Sequence, residues 1–181
     1  MRILISGGCK NGKSTYAQEL AKQQKSGPLY YIATMVPVDD EDADRIKRHC
    51  QERVGMGFTT IEMPRAIESI LNICDHNGSF LLDSLTALLA NEMFSPCSDY
   101  DNNACERVSE GLTQILHQIP KIVIVSDYIY GGASQYDLLT ETYRKSLAHL
   151  DRLVAHCCDM VLEATYTQII THKGSVPHAV F

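Results

Sequence analysis

The stretch 2-RILISGGCKNGKSTYAQEL-20 decides the fold. Residues 2–6 are a short β-rich run and predict a strand. The spacing Gly7-x-x-x-x-Gly12-Lys13-Ser14 follows at once, and a helical pattern begins at Lys13. Strand, glycine-rich loop and helix in that order are the context a phosphate-binding loop needs. Glycines let the chain bend so that its N–H groups point inward at phosphate oxygens. The cradle spans Gly7, Gly8, Cys9, Lys10, Asn11 and Gly12. Cys9 is expected to serve through its N–H, not its sulfur. The helix N-terminus adds the positive end of its dipole. Lys13 places a charge near the outer phosphates, and Ser14 offers a hydroxyl to Mg²⁺.

Outward from this loop, strands and helices alternate. The pattern predicts strands at 29–34, 58–62, 79–83 and 121–127, and helices at 13–25, 40–52, 84–94, 105–118 and 136–157. Residues 65–74 suggest a further helix. Asn77-Gly78 and Gly131-Gly132 mark turns, and 95–104 reads as a loop, the one candidate for local disorder. The acidic run 39–44 suits the first turn of a helix, where carboxylates meet the positive dipole end. Two terminal strands, 160–164 and 167–172, are close enough to form a hairpin. Such alternation implies a mostly parallel sheet with helices on both faces and an antiparallel edge. No repeat or long linker divides the chain, so residues 1–181 are read as one phosphate-loop domain.

Composition narrows the function. The chain has 181 residues, 45% hydrophobic and 21% charged, with a net charge of −6. A negative surface without a basic run argues against nucleic acid as a partner. No apolar stretch approaches the length of a membrane span, and the N-terminus runs straight into strand and loop without a leader pattern. Seven cysteines at irregular spacings, with no C-x-x-C, fit reduced thiols in a cytoplasmic protein better than disulfides or a zinc site.

Two further residues carry chemistry. Asp83 ends an apolar strand, where phosphate-loop enzymes hold the magnesium-side aspartate. It, or Ser84, could equally cap the next helix. The loop at residue 7 favours the metal reading. His49 lies in 45-RIKRHCQER-53, among cations that would attract a nucleotide phosphate. Spacing alone makes it a solvated histidine on a charged helix face.

A resemblance sharpens these readings. "ILISGGCKNGKSTYAQEL", "LYYIAT", "DADRIKRHCQER", "FTTIEMP" and "LLDSLTALLANEMF" occur in order. Together they resemble the bifunctional adenosylcobinamide kinase / adenosylcobinamide-phosphate guanylyltransferase family of cobalamin biosynthesis. Arg45, Ile46, His49 and Arg53 match its Arg-Ile-x-x-His-x-x-x-Arg segment. Phe58 stands where tryptophan is common, and Asn91 matches an Asn after Leu-Leu-Asp-x-Leu-Thr. The resemblance implies two reactions. One phosphorylates adenosylcobinamide with a nucleoside triphosphate, GTP or ATP. The other passes GMP from GTP to the resulting phosphate through a covalent histidine–GMP intermediate. It implies His49 as the nucleophile, with Lys13 as the other catalytic group. It places Thr34, Met35, Val36, Arg53, Glu62 and Asp83 at the nucleotide, with Glu62 on guanine and Ser14 and Asp83 on Mg²⁺. It also implies a homotrimer.

The chain departs from that pattern after 121-KIVIVSD-127. The family usually continues Asn-Glu-Val-Gly, whereas Asp127 and Tyr128 stand here, and Asp151 stands where Asn is common. Two other readings therefore stay open: a phosphate-loop small-molecule kinase without the guanylyl step, and a non-catalytic nucleotide-binding regulator.

Overall fold

A computed structural model describes residues 1–94, 100–131, 134–166 and 168–175, with all their side chains except those of residues 45 and 52. Seven strands form one sheet. They are β1 (Arg2–Gly7), β2 (Leu29–Ala33), β3 (Thr59–Glu62), β4 (Ser79–Asp83), β5 (Ile122–Val125), β6 (Met160–Thr165) and β7 (Gln168–Lys173). Their spatial order is β3-β2-β4-β5-β1-β6-β7. Every neighbouring pair is parallel except β6–β7, the antiparallel edge hairpin expected from the sequence.

The central strands are buried on both faces, because successive side chains point to opposite sides. On one side Ile3, Ile5, Val123 and Val125 pack against Ala17, Leu20 and Ala21 of α1 (Lys13–Gln23). On the other, Leu4, Leu82, Ile122 and Ile124 meet three helices. These are α3 (Leu85–Met93), α4 (Ala104–Gln118) and α5 (Leu138–Cys157). Each buried Leu or Ile contributes about 1.5–3 kcal/mol relative to exposure, so this two-sided packing dominates the stability of the sheet. The remaining helix, α2 (Asp40–Glu52), follows β2. Among the described residues no helix is long and apolar enough to cross a membrane.

Element ends are set by local chemistry. Asp39 caps α2 by accepting from Asp42 N at 2.8 Å, ahead of the acidic first turn of Asp40, Glu41 and Asp42. Asp137 caps α5 through Thr140 N at 2.9 Å, so this helix starts at Leu138 and not at 136. α1 stops at Gln23 because Lys25 N turns back to Lys22 O, a tighter closure than the α-helical one. The expected helix at 65–74 is a shorter 3-10 turn, Ile67–Asn72, whose Ile67 and Ile70 reach the core. Residues 95–99 of the expected loop, Gly132 of the expected turn and residue 167 of the last strand lie outside the described residues.

Candidate active site

The strand register gathers residues that are distant in sequence. Glu62 pairs with Ala33, Ala33 with Asp83, Asp83 with Val125 and Val125 with Ile5. This row crosses the carboxyl ends of five parallel strands, where open α/β sheets bind ligands. The phosphate loop leaves β1 at that edge, and Asp127 lies just past β5. Because β5 sits between β1 and β4, Asp127 emerges between the loop and Asp83.

The loop is built to receive an anion. Gly12, at φ 82°, is the N-cap of α1, and no side chain caps the helix. The N-cap residue therefore offers no side-chain acceptor to the first N–H groups, although Lys13 N turns to Asn11. Lys10, Asn11, Gly12, Lys13, Ser14 and Thr15 line a cavity of about 290 Å³, closed by Glu41, Arg48 and His49 of α2. Asn11 is a strut: its Nδ2 donates to Ala164 O of β6, and its Oδ1 accepts from Lys13 N at 3.3 Å. Lys10 reaches Glu41 at 3.6 Å, but both are almost fully exposed, so the pair adds little. Lys13 is only 5% exposed. Its Nζ donates to Gly8 O at 2.9 Å and pairs with Asp127 Oδ1 at 2.5 Å.

A larger cavity of about 460 Å³ opens beside the loop. Met35, Ile46, Ala87 and Ala90 give it an apolar wall, and His49, Arg53, Glu62, Asp83, Asp127 and Tyr143 give it polar groups. Ser84 is the N-cap of α3, accepting from Ala87 N at 3.3 Å, which leaves the Asp83 carboxylate to face the cavity. Asp83 Oδ2 accepts from Tyr31 OH at 2.8 Å and stands 4.0 Å from His49 Nδ1. Burial first, and then the Asp83 charge, hold the Tyr31 phenol far above its ordinary value, so it remains a donor. Arg53 lies over the Tyr31 ring at 3.5 Å, a cation–π contact. Its Nη2 donates to Cys50 Sγ at 3.4 Å, while buried Nε and Nη1 have no partner. A guanidinium that is 8% exposed with open donors is an anion-binding group in waiting.

The far wall is fixed through Thr86. Its Oγ1 accepts from Asp127 N at 2.9 Å, and its carbonyl accepts from Tyr143 OH at 2.9 Å. Behind it lies Asp151, 4% exposed, accepting from Tyr130 OH at 2.8 Å. Arg144 braces this segment by donating to the carbonyls of Ile129 and Tyr130 at 3.2 and 3.1 Å.

The residues expected from the sequence thus divide. Gly7 through Ser14 form the loop, and Met35, His49, Arg53, Glu62 and Asp83 line the larger cavity. Thr34 is a fully buried clamp. Its hydroxyl donates to Ser84 O and accepts from Ser84 N, both at 2.7 Å, and Asn91 Nδ2 donates to its carbonyl at 2.7 Å. Val36 is 46% exposed and lines neither cavity. The Arg45 side chain lies outside the described residues. Sequence reasoning missed Tyr31, Thr86 and Tyr143, which line the larger cavity with Asp127. For Asp127 a signal existed, a carboxylate at the end of the apolar run 121–127; no pattern marked Tyr31, Thr86 or Tyr143.

Mg²⁺ suits the donors present. Among the described residues no three His, Cys, Asp or Glu side chains are grouped to hold a metal alone. Mg²⁺ needs no such cage, since it takes one or two protein oxygens together with phosphates and water. Ser14 in the loop and Asp83 at the next cavity supply hard oxygen donors of that kind.

The cobinamide kinase / cobinamide phosphate guanyltransferase family pattern matches residues 3–167. The bifunctional adenosylcobalamin biosynthesis protein CobP of Pseudomonas aeruginosa is 32% identical over 163 residues, covering 89% of this chain and 91% of that protein. The protein CobU of Salmonella typhimurium, described in the same words, is 27% identical, covering 89% and 93%. Among solved structures, the flagellar accessory protein FlaH of Methanocaldococcus jannaschii superposes with a TM-score of 0.53 at 13% identity, over 96% of this chain and 78% of that one. A KaiC-like protein of Pyrococcus horikoshii gives 0.52 at 12%, over 99% and 81%. These two likenesses show the phosphate-loop NTPase fold alone.

Proposed function

Since the chain belongs to the cobinamide kinase / cobinamide phosphate guanyltransferase family, we propose that it carries out both reactions, with His49 as the guanylyl carrier. In the first, a nucleoside triphosphate gives its γ-phosphoryl group to the hydroxyl of adenosylcobinamide. In the second, a His49 ring nitrogen attacks the α-phosphorus of GTP, a new N–P bond forms and pyrophosphate leaves. The phosphate of adenosylcobinamide phosphate then attacks the same phosphorus, the N–P bond breaks, and adenosylcobinamide-GDP is released.

One observation carries this reading: among the described residues, His49 is the side chain shared by the phosphate-loop cavity and the larger cavity. A carrier must meet donor and acceptor, and this histidine borders both spaces. Covalent transfer splits one difficult displacement into two easier ones. The neighbouring groups suit the steps. Lys13 and the open donors of Arg53 can neutralise charge on the reacting phosphates. Asp83, 4.0 Å from Nδ1, sets a negative charge beside a ring that becomes cationic when phosphorylated. Mg²⁺, when bound with the nucleotide, supplies further charge neutralisation. Glu62 lines the β3 end of the larger cavity, three strands from Asp127 at the β5 end that would face the acceptor, and there a carboxylate can accept from the N1–H and N2 amino group of guanine.

The test uses GTP labelled at the α-phosphorus. After incubation with Mg²⁺ and denaturation, the chain should carry acid-labile, alkali-stable label. Corrinoid phosphorylation without label would make the protein a kinase alone. Nucleotide binding with neither activity would make it a regulator.

A further inference from the structure

We infer that Asp127 is the general base of the phosphoryl-transfer step, taking the proton from the acceptor hydroxyl as it attacks the γ-phosphorus. The assignment rests on the kinase half of the proposed function. Three independent placements support it. Asp127 follows β5, the strand between the phosphate loop and Asp83. Its Oδ1 is 2.5 Å from Lys13 Nζ, so it stands where Lys13 meets the outer phosphates of a nucleotide. It also lines the larger cavity, the space with an apolar wall suited to an organic acceptor. A carboxylate bordering both the terminal phosphate and the acceptor space is within reach of the proton that must move.

The backbone holds this carboxylate in place without using it. Asp127 N donates to Thr86 Oγ1, and Tyr128 N donates to Gly7 O at 2.9 Å, which ties the segment to the loop itself. Asp127 is 9% exposed, and its carboxylate pairs with Lys13. When a triphosphate draws the ammonium onto its oxygens, the carboxylate keeps its position and becomes available to the incoming hydroxyl. The step balances: the acceptor oxygen bonds to the γ-phosphorus, the bond from that phosphorus to the β,γ-bridging oxygen breaks, the nucleoside diphosphate departs, and the proton passes to Asp127.

The alternative role is indirect, with Asp127 only orienting Lys13. The two roles separate because the guanylyl step also uses Lys13 but transfers no hydroxyl proton. The experiment compares wild type, Asp127→Asn and Asp127→Glu for kcat and KM in adenosylcobinamide phosphorylation, and for labelling by α-labelled GTP. With Asp127→Asn, kcat for phosphorylation should fall by about 100-fold or more, the scale of general-base catalysis. KM for the nucleotide should stay level or drop, since Lys13 loses a competing charge, and His49 labelling should persist. Asp127→Glu should recover part of kcat. Near-normal phosphorylation by Asp127→Asn overturns the assignment. So does a parallel loss of phosphorylation and labelling in both variants, which would mean that Asp127 acts through Lys13. A wild type that phosphorylates no corrinoid overturns the kinase reading itself, and that result is visible before any substitution is made.

Discussion

His49 Nδ1 stands 4.0 Å from Asp83 Oδ2, the same oxygen that accepts from Tyr31 OH at 2.8 Å. The contact joins the last turn of α2 to the end of β4. It places the candidate nucleophile where the two cavities meet. His49→Ala should therefore abolish covalent GMP labelling and leave adenosylcobinamide phosphorylation largely in place, since in-line phosphoryl transfer requires no histidine nucleophile. A paired assay of label and kinase turnover decides it. Label surviving on the variant would mean another residue carries GMP.

Lys13→Ala should remove both activities. The side chain is buried in the loop, and each reaction must neutralise triphosphate charge. The expected loss is several hundredfold or more in each, about 4 kcal/mol of transition-state stabilisation. Parallel measurements of phosphorylation and labelling test it, and near-normal phosphorylation would show that the loop serves only one of the steps.

Glu62→Gln should narrow the preference for GTP over ATP in the guanylyl step. The carboxylate lines the larger cavity at the end of β3. Losing a charge-assisted pair to guanine costs on the order of 1.5–3 kcal/mol. Labelling rates with the two nucleotides give the ratio. An unchanged ratio would place base recognition elsewhere.

Gly7→Ala should destabilise the fold as well as the loop. A Cβ at Gly7 would lie 2.3 Å from Ala164 O and 2.5 Å from Asn11 Nδ2, so β6 or the strut must shift. Overpacking of this kind costs about 1–3 kcal/mol. Gly8→Ala, with nothing within 4 Å of its Cβ, should leave the melting temperature unchanged. Thermal denaturation of the two variants side by side checks the contrast, and equal melting temperatures would refute it.

Asp151→Asn should stabilise the protein at neutral pH, by an amount that vanishes in acid. Burial holds the Asp151 carboxyl above its ordinary 3.8; the Ser126 and Tyr130 hydroxyls oppose this, and the Asp127 charge adds to it. Its Oδ1 has no hydrogen-bond partner. The sign follows from linkage. The folded state holds this proton more tightly than the unfolded state, so wild-type stability from this group is full below about 3.8 and is lost as pH rises through the folded value. The Asn variant carries no charge and avoids that loss. A gain on the order of 1 kcal/mol at pH 7, the scale of a buried unpaired polar atom, should shrink toward zero as the pH falls to 4. Urea denaturation at several pH values measures the gap, and a gap that is constant or grows in acid would sink the idea.

Local pattern alone determined the loop, the alternation of elements and the edge hairpin. Gly7-x-x-x-x-Gly12-Lys13-Ser14 between strand and helix marks a phosphate loop, and the short apolar runs at β1, β4 and β5, bounded by turn residues, fit buried strands. The in-order segments also carried the family and the place of His49 within it. Sequence could not say that His49 borders two cavities. That depends on where α2 packs relative to α1 and β4, which no neighbouring residue encodes. Nor could it show that Thr34 and Asn91 clamp the ends of β2 and α3, since their hydrogen bonds cross to residues far along the chain. The Lys13–Asp127 pair belongs to the same class. Strand order β4-β5-β1 brings a carboxylate after β5 to the lysine after β1, and order is set by how the two helix layers cover the sheet. Short-range propensity chose the elements; long-range packing chose which strand ends became neighbours, and the candidate site is made of those ends.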